Sequence, residues 1–256
     1  MMLMSWKKKF AWVPNLFTLG NLSLGFFSIL LSSSSQGNSD LLKLASALII
    51  LAALADGLDG WAARLLNARS ELGAQLDSLA DLATFGLAPG VLMYSLLLKT
   101  WNLAVAPSFI VPTGMMIAAI FPACAAYRLA RFNVSHDDSS FAGLPSPIAG
   151  ITIALMPFIF PFIIVVPEML LVLLFVFTAF LMVSTVKYAK PQVSFLRKMS
   201  PLRFGIIIFF IVIALVVVYF NYGAGYSAAG LFSLIIIYVI TGIISLIIHS
   251  IQQYRI

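Results

Sequence analysis

Charge is what this sequence has least of. Asp, Glu, Lys and Arg together make up 9% of its 256 residues, against 62% hydrophobic residues. A soluble domain carries about a quarter charged residues, so that class is excluded. A mean hydropathy of +1.06 places the chain among polytopic membrane proteins. A single cysteine, Cys124, excludes an internal disulfide framework, and its apolar surroundings assign it to packing. No internal repeat is evident, which leaves an inverted-repeat transporter without support. Of the two histidines, His136 reads as part of a solvated loop with Asp137 and Asp138, and His249 as an interface residue.

What is present is a series of eight apolar spans, at about 14–34, 41–64, 73–98, 109–131, 147–165, 168–188, 204–221 and 229–249, each near the length a bilayer requires. The expected fold class is all-α, a polytopic membrane helical bundle of about eight transmembrane helices. The first apolar run resembles a signal peptide, but no small-residue cleavage site follows it, so it is taken as a retained span. With the N-terminus inside, all of the 15 basic residues except Lys43 and Lys99 fall on the cytoplasmic side. The positive-inside rule favours that orientation. The net charge of +6 therefore reads as orientation and contact with anionic membrane lipid, not as a nucleic-acid surface. The expected location is the cell (plasma) membrane.

Four aspartates stand in one stretch, at the ends of two apolar segments. Asp56 and Asp59 are three residues apart, and Asp77 and Asp81 four apart. On helices each pair shares a face, so two helices can direct four carboxylates into one space. Carboxylates at membrane depth are costly and face a cavity or an ion. Hard oxygen ligands suit Mg²⁺, Mn²⁺ or Ca²⁺. Gly60, one turn after Asp56, and Gly73, one turn before Asp77, leave room for a group to lie against the backbone. Arg64 shares the face of Asp56 and Gly60 and is suited to a phosphate or carboxylate. The bland alternative is a set of helix-end carboxylates paired with Arg64 and Arg69.

The pattern D-x2-D-G-x2-A-R-x8-G-x3-D-x3-D, met here from Asp56 to Asp81, resembles the signature of the CDP-alcohol phosphatidyltransferases. The resemblance covers the first six spans. It implies a membrane core over 1–200 and a two-helix extension over 201–256. Three further stretches resemble the phosphatidylserine synthases within that family: Pro14 to Leu22, Asp77 to Pro89, and Tyr127 to Asn133 followed by Phe141 to Pro147.

The resemblance implies transfer of a phosphatidyl group from CDP-diacylglycerol to the hydroxyl of L-serine, with an ether-lipid donor as the archaeal counterpart. It implies two divalent ions, Mg²⁺ or Mn²⁺ with Ca²⁺ as inhibitor or substitute, held by Asp56, Asp59, Asp77 and Asp81. Asp81 is also the implied general base. Asn15, Thr18, Asp56, Gly60, Ala63, Arg64 and Gly73 are implied to line the nucleotide pocket, and family members are often homodimers. An acceptor carboxylate needs a cation. Arg128 and Arg131, three apart at a span end, are the candidates, with Arg69 and Lys187 behind them. Positive-inside anchoring is the alternative for that pair, and helix capping for Asn15 and Thr18. Other acceptors (glycerol 3-phosphate, inositol or its phosphate) and a cation transporter remain as competing functions.

Overall fold

The computed structural model describes residues 12–66, 70–106, 109–134, 143–160, 167–186 and 214–253. Helix α1 (Val13–Ser34) opens with Pro14 in its first turn, where a missing N–H costs nothing. It ends in a turn through Gln36 and Gly37, both at positive φ. The Asn38 side chain then caps α2 (Ser39–Leu66), its Oδ1 accepting from the backbone N–H of Asp40 at 2.9 Å. Helix α3 (Glu71–Leu96) is capped by Ser70, whose Oγ accepts from Gly73 N at 3.0 Å. A π-helical segment, Leu82–Leu87, lies inside α3 and begins at the residue after Asp81.

A short antiparallel hairpin, β1 (Leu103–Ala106) and β2 (Phe109–Val111), leads into α4 (Thr113–Val134). Helix α5 (Ser146–Ile159) is interrupted at Leu155, and α6 (Glu168–Val183) follows. A helix over 214–222, α7, and the long α8 (Ala224–Gln253) complete the described chain.

The chain is an all-α polytopic membrane protein. Among the described residues five helices are long and apolar enough to cross a membrane, namely α1, α2, α3, α4 and α8, while α5 and α6 are shorter apolar helices. Every span expected from the sequence overlaps a helix, and of the fifth, sixth and seventh the residues 161–165, 187–188 and 204–213 lie outside the described residues. Two boundaries differ from expectation. Residues 109–111 form a strand, so the fourth helix begins after Pro112. The fifth breaks at Leu155, because Pro157 lacks an N–H and its ring crowds the carbonyl four residues back.

The interior has two clusters: Phe121 stacked on Phe175 at 5.0 Å with Met93, Ile153 and Met156, and Phe85 and Leu92 with Leu42, Ile49 and Ala154. Helix α8 docks through Ala228 and Val239, and Phe232 meets Phe160 edge-on at 6.3 Å. Large apolar side chains such as Phe26, Phe27, Leu54 and Phe177 remain on the outside, where lipid is their natural solvent.

Small residues let the helices approach the π-helical segment closely, as in membrane bundles generally. On α1, a methyl group at Gly25 would come within 2.8 Å of the Thr84 Cα. On α5, one at Gly150 would meet Phe85 at 3.1 Å. Thr84 Oγ1 donates to the Asn21 carbonyl at 3.0 Å, tying α3 to α1 at the same level. Gly25→Ala is therefore expected to lower the thermal midpoint in detergent, by overpacking that costs about 1–3 kcal/mol. At Gly20 nothing lies within 4 Å among the described residues, so Gly20→Ala should leave the midpoint unchanged or slightly higher. Equal midpoints for the two variants would remove this contact from the account.

Candidate functional site

The last turns of α2 carry Asp56 and Asp59, and the first half of α3 carries Asp77 and Asp81. One carboxylate oxygen from each of Asp56, Asp59 and Asp77 lies within 4.8 Å of the others. Asp81, one helical turn further along α3, reaches hydrogen-bonding distance of Asp56. Asp59 is 6% exposed and Asp81 9%. The Asp81 Oδ1 is buried with no hydrogen-bond partner.

None of the four lies within ion-pair distance of a lysine or arginine among the described residues. A cluster of hard oxygens is the donor set that a divalent cation takes. The buried, unpartnered Oδ1 of Asp81 fits the same reading, since such an atom is costly unless something meets it.

Helix α1 supports this cluster from the side. Thr18 Oγ1 donates to Asp59 Oδ2 at 2.9 Å and lies 3.1 Å from the Pro14 carbonyl. Sequence reasoning placed Thr18 among the nucleotide residues. Its contact with Asp59 was not legible, because residues 41 apart give no local signal. Asn15 sits against the start of α3, its Oδ1 being 3.3 Å from where a Gly73 methyl would stand. A methyl at Gly60 would meet nothing within 4 Å among the described residues, so the α2 backbone is open there. The side chains of Ala63 and Arg64 lie outside the described residues, as do Arg69, Lys187 and His136.

The two arginines of α4 part company. Arg128 is 7% exposed. Its Nη1 donates to Ser146 Oγ at 2.8 Å, its Nε has no partner, and its charge acts directly on Asp81. Arg131 instead donates from Nη1 to the Val183 carbonyl at 3.0 Å and from Nη2 to that of Ser184 at 3.4 Å, with its guanidinium 5.9 Å from the centre of the Tyr127 ring. It thereby ties α4 to the C-terminus of α6, an end with negative dipole character. Asn133 and Ser78 exchange hydrogen bonds at 3.0 and 3.2 Å, fastening α4 to α3 beside Asp77. The stretches Tyr127 to Asn133 and Phe141 to Pro147 thus meet the acidic stretch through Arg128, Ser146 and Asn133.

Comparison with known proteins bears on the same residues. The family described as CDP-alcohol phosphatidyltransferase matches residues 11–183. The chain is 35% identical over 181 residues to a CDP-diacylglycerol–serine O-phosphatidyltransferase of Helicobacter pylori, covering 68% of this chain and 70% of that protein. A protein of the same description from Mycobacterium leprae is 36% identical over 149 residues, 55% of this chain and 45% of the relative. An archaetidylserine synthase of Methanothermobacter thermautotrophicus is 37% identical over 146 residues, 56% of each. The chain thus spans about half the length of two of these three.

The bond from Thr18 fixes the orientation of the Asp59 carboxylate. Thr18→Val keeps the shape and removes the donor. It is expected to weaken Mn²⁺ binding, measured by electron paramagnetic resonance on the purified protein, about tenfold or more. Unchanged Mn²⁺ affinity would show that Asp59 needs no such support.

Proposed function

The chain belongs to the CDP-alcohol phosphatidyltransferase family, and from that premise we propose that it transfers the phosphatidyl group of CDP-diacylglycerol to the hydroxyl of L-serine. The hydroxyl oxygen forms a new bond to the phosphorus that carries the lipid. The bond from that phosphorus to the bridging oxygen breaks, and CMP leaves with the electron pair. The hydroxyl proton passes to Asp81 Oδ1.

The observation that carries this reading is the buried, unpartnered Oδ1 of Asp81 on the helix that brings Asp77 into the acidic cluster, with the buried Arg128 guanidinium in electrostatic range of it. A candidate base and a cation suited to a carboxylate thus act on one region, as a hydroxy amino acid requires. A phosphorylated acceptor would call for a denser set of cations, and Arg131 is already committed to the end of α6. Serine relatives of bacterial and archaeal origin support the same acceptor.

Asp56, Asp59, Asp77 and Asp81 would hold two divalent cations, Mg²⁺ or Mn²⁺, whose chemistry when bound is to neutralise the pyrophosphate and stabilise the departing phosphate. Asn15, Thr18, Gly60, Ala63, Arg64 and Gly73 would line the nucleotide side. The open backbone at Gly60 supports that assignment. Residues 1–200 form the catalytic core in this reading and 201–256 an added pair of helices. The basic residues orient the site to the cytoplasmic face of the cell membrane and to anionic lipid, and the working unit is a homodimer.

An acceptor screen with CMP release as readout tests the function. L-serine should support turnover with Mg²⁺ or Mn²⁺; release with inositol or glycerol 3-phosphate alone would reassign the acceptor. Metal flux without CMP would mean a transporter. Asp81→Asn should lower serine-dependent CMP release about a hundredfold or more, while CDP-diacylglycerol binding persists. Normal turnover in that variant would remove Asp81 as the base.

A further inference from the structure

Helix α5 begins with donors that nothing answers. Its first regular segment, Ser146–Ala154, is nine residues long and follows Pro145, a residue with no side-chain acceptor to cap it. Most helices meet their first N–H groups with Ser, Thr, Asp or Asn at that position. Pro147 has no N–H to satisfy. The N–H groups of Ser146 and Ile148 do, and neither finds an acceptor among the described residues. The first in the helix to find one is that of Ala149, 3.0 Å from the Pro145 carbonyl. Ser146 has no exposed surface, so solvent does not meet its N–H either.

This end of the helix is held in place. The N–H groups of Gly143 and Leu144 donate at 2.9 Å to the carbonyls of Val186 and Leu181, which pins the approach to α5 against the end of α6. Gly143 stands at φ +92°, a conformation that favours glycine.

Into the uncapped end comes a cation. Arg128 is 7% exposed, and its Nη1 donates to Ser146 Oγ at 2.8 Å. Its Nε is buried with no partner. A helix N-terminus carries partial positive charge, so a guanidinium beside it is repelled. Donors on the backbone and donors on the side chain thus meet around one serine, with its hydroxyl oxygen as their acceptor. Burying both sets is costly unless an anion joins them.

We propose that Arg128 and the first turn of α5 form an oxyanion seat that receives the carboxylate of the acceptor. The guanidinium supplies the charge, and the N–H groups of Ser146 and Ile148 supply fixed donors. The inference rests on the proposed serine acceptor and deepens it. One guanidinium and two backbone N–H groups suit a singly charged carboxylate. The second cation that a phosphate would call for is spent elsewhere, Arg131 being bonded to the carbonyls of Val183 and Ser184.

A residue that supplies the missing anion from within the chain tests the seat. Pro145→Asp places a carboxylate at the cap, within reach of the Ile148 N–H, and Pro145→Ala removes the ring without adding an acceptor. Each is assayed as the full chain in CDP-diacylglycerol micelles by CMP release. Pro145→Asp is expected to raise the KM for L-serine about tenfold or more, the effect of displacing a charge-assisted contact. Its KM for CDP-diacylglycerol should stay within about twofold, and its thermal midpoint should be no lower than that of wild type. Pro145→Ala should match wild type in both KM values. An unchanged serine KM in Pro145→Asp overturns the proposal, as does an equal rise in Pro145→Ala. A lowered midpoint in Pro145→Asp overturns it too, since a helix end short of an acceptor gains from one. Inhibition of the wild-type enzyme gives a second reading. L-Alanine, which keeps the carboxylate and lacks the hydroxyl, should compete with L-serine at concentrations about tenfold or more below those of L-alaninamide. Equal inhibition by the two, or stronger inhibition by inorganic phosphate than by L-alanine, removes the carboxylate from the seat. Absence of serine-dependent CMP release from the wild-type enzyme would instead overturn the functional reading itself.

Discussion

Four carboxylates held together inside a membrane bundle repel one another and resist leaving water. The cost of one such charge is several kcal/mol, even after the protein relaxes around it. Here Asp56, Asp59 and Asp77 bring oxygens within 4.8 Å of each other, with no cationic side chain at ion-pair distance among the described residues. Divalent cations would relieve that repulsion, which is the physical basis of the metal site proposed above. A sequence that keeps it must hold two helix ends in one geometry against their mutual repulsion.

The packing around the site does this with glycine contacts and polar ties. Gly25 and Gly150 sit in tight contact with the π-helical segment that follows Asp81, and a side chain at either would force a helix away. Thr84, Asn21 and Thr18 add polar ties at the same level, ending in the bond to Asp59. A methyl group at Gly60 would instead meet nothing within 4 Å among the described residues. Glycine thus lets helices touch at positions 25 and 150, a contact that position 60 does not make among the described residues. A π-helical turn adjoining functional residues is common in helical proteins, and here close-packed neighbours on two sides hold it.

Much of this was legible in the sequence, and the limits are physical. Spacing of three and four residues determines which side chains share a helix face, so Asp56 with Asp59 and Asp77 with Asp81 could be paired without coordinates. Hydropathy over about 20 residues located the spans. Neither says which neighbour a face meets. Thr18 and Asp59 touch across 41 residues, and Asn133 and Ser78 across 55. Such contacts follow from how the helices pack, which local pattern does not encode. Nor does composition reveal that α3 carries a π-helical segment, or that Pro157 ends the regular part of α5.

The pair Arg128 and Arg131 shows the limit most clearly. Three residues apart on one helix, they look equivalent by spacing, and both could have been anchors in the headgroup region. The fold gives them opposite work. Arg131 spends its donors on the final carbonyls of α6, where a positive charge favours the helix end. Arg128 turns inward, meets one hydroxyl on α5, and keeps an unpartnered N–H, with its charge in electrostatic range of Asp81. A buried guanidinium with spare donors is as costly as a buried carboxylate with spare lone pairs. Placing the two within electrostatic range, but not paired, leaves each short of a partner. A ligand carrying a carboxylate and a hydroxyl on adjacent carbons would supply both at once, and that complementarity is the physical reasoning behind the proposed hydroxy amino acid acceptor.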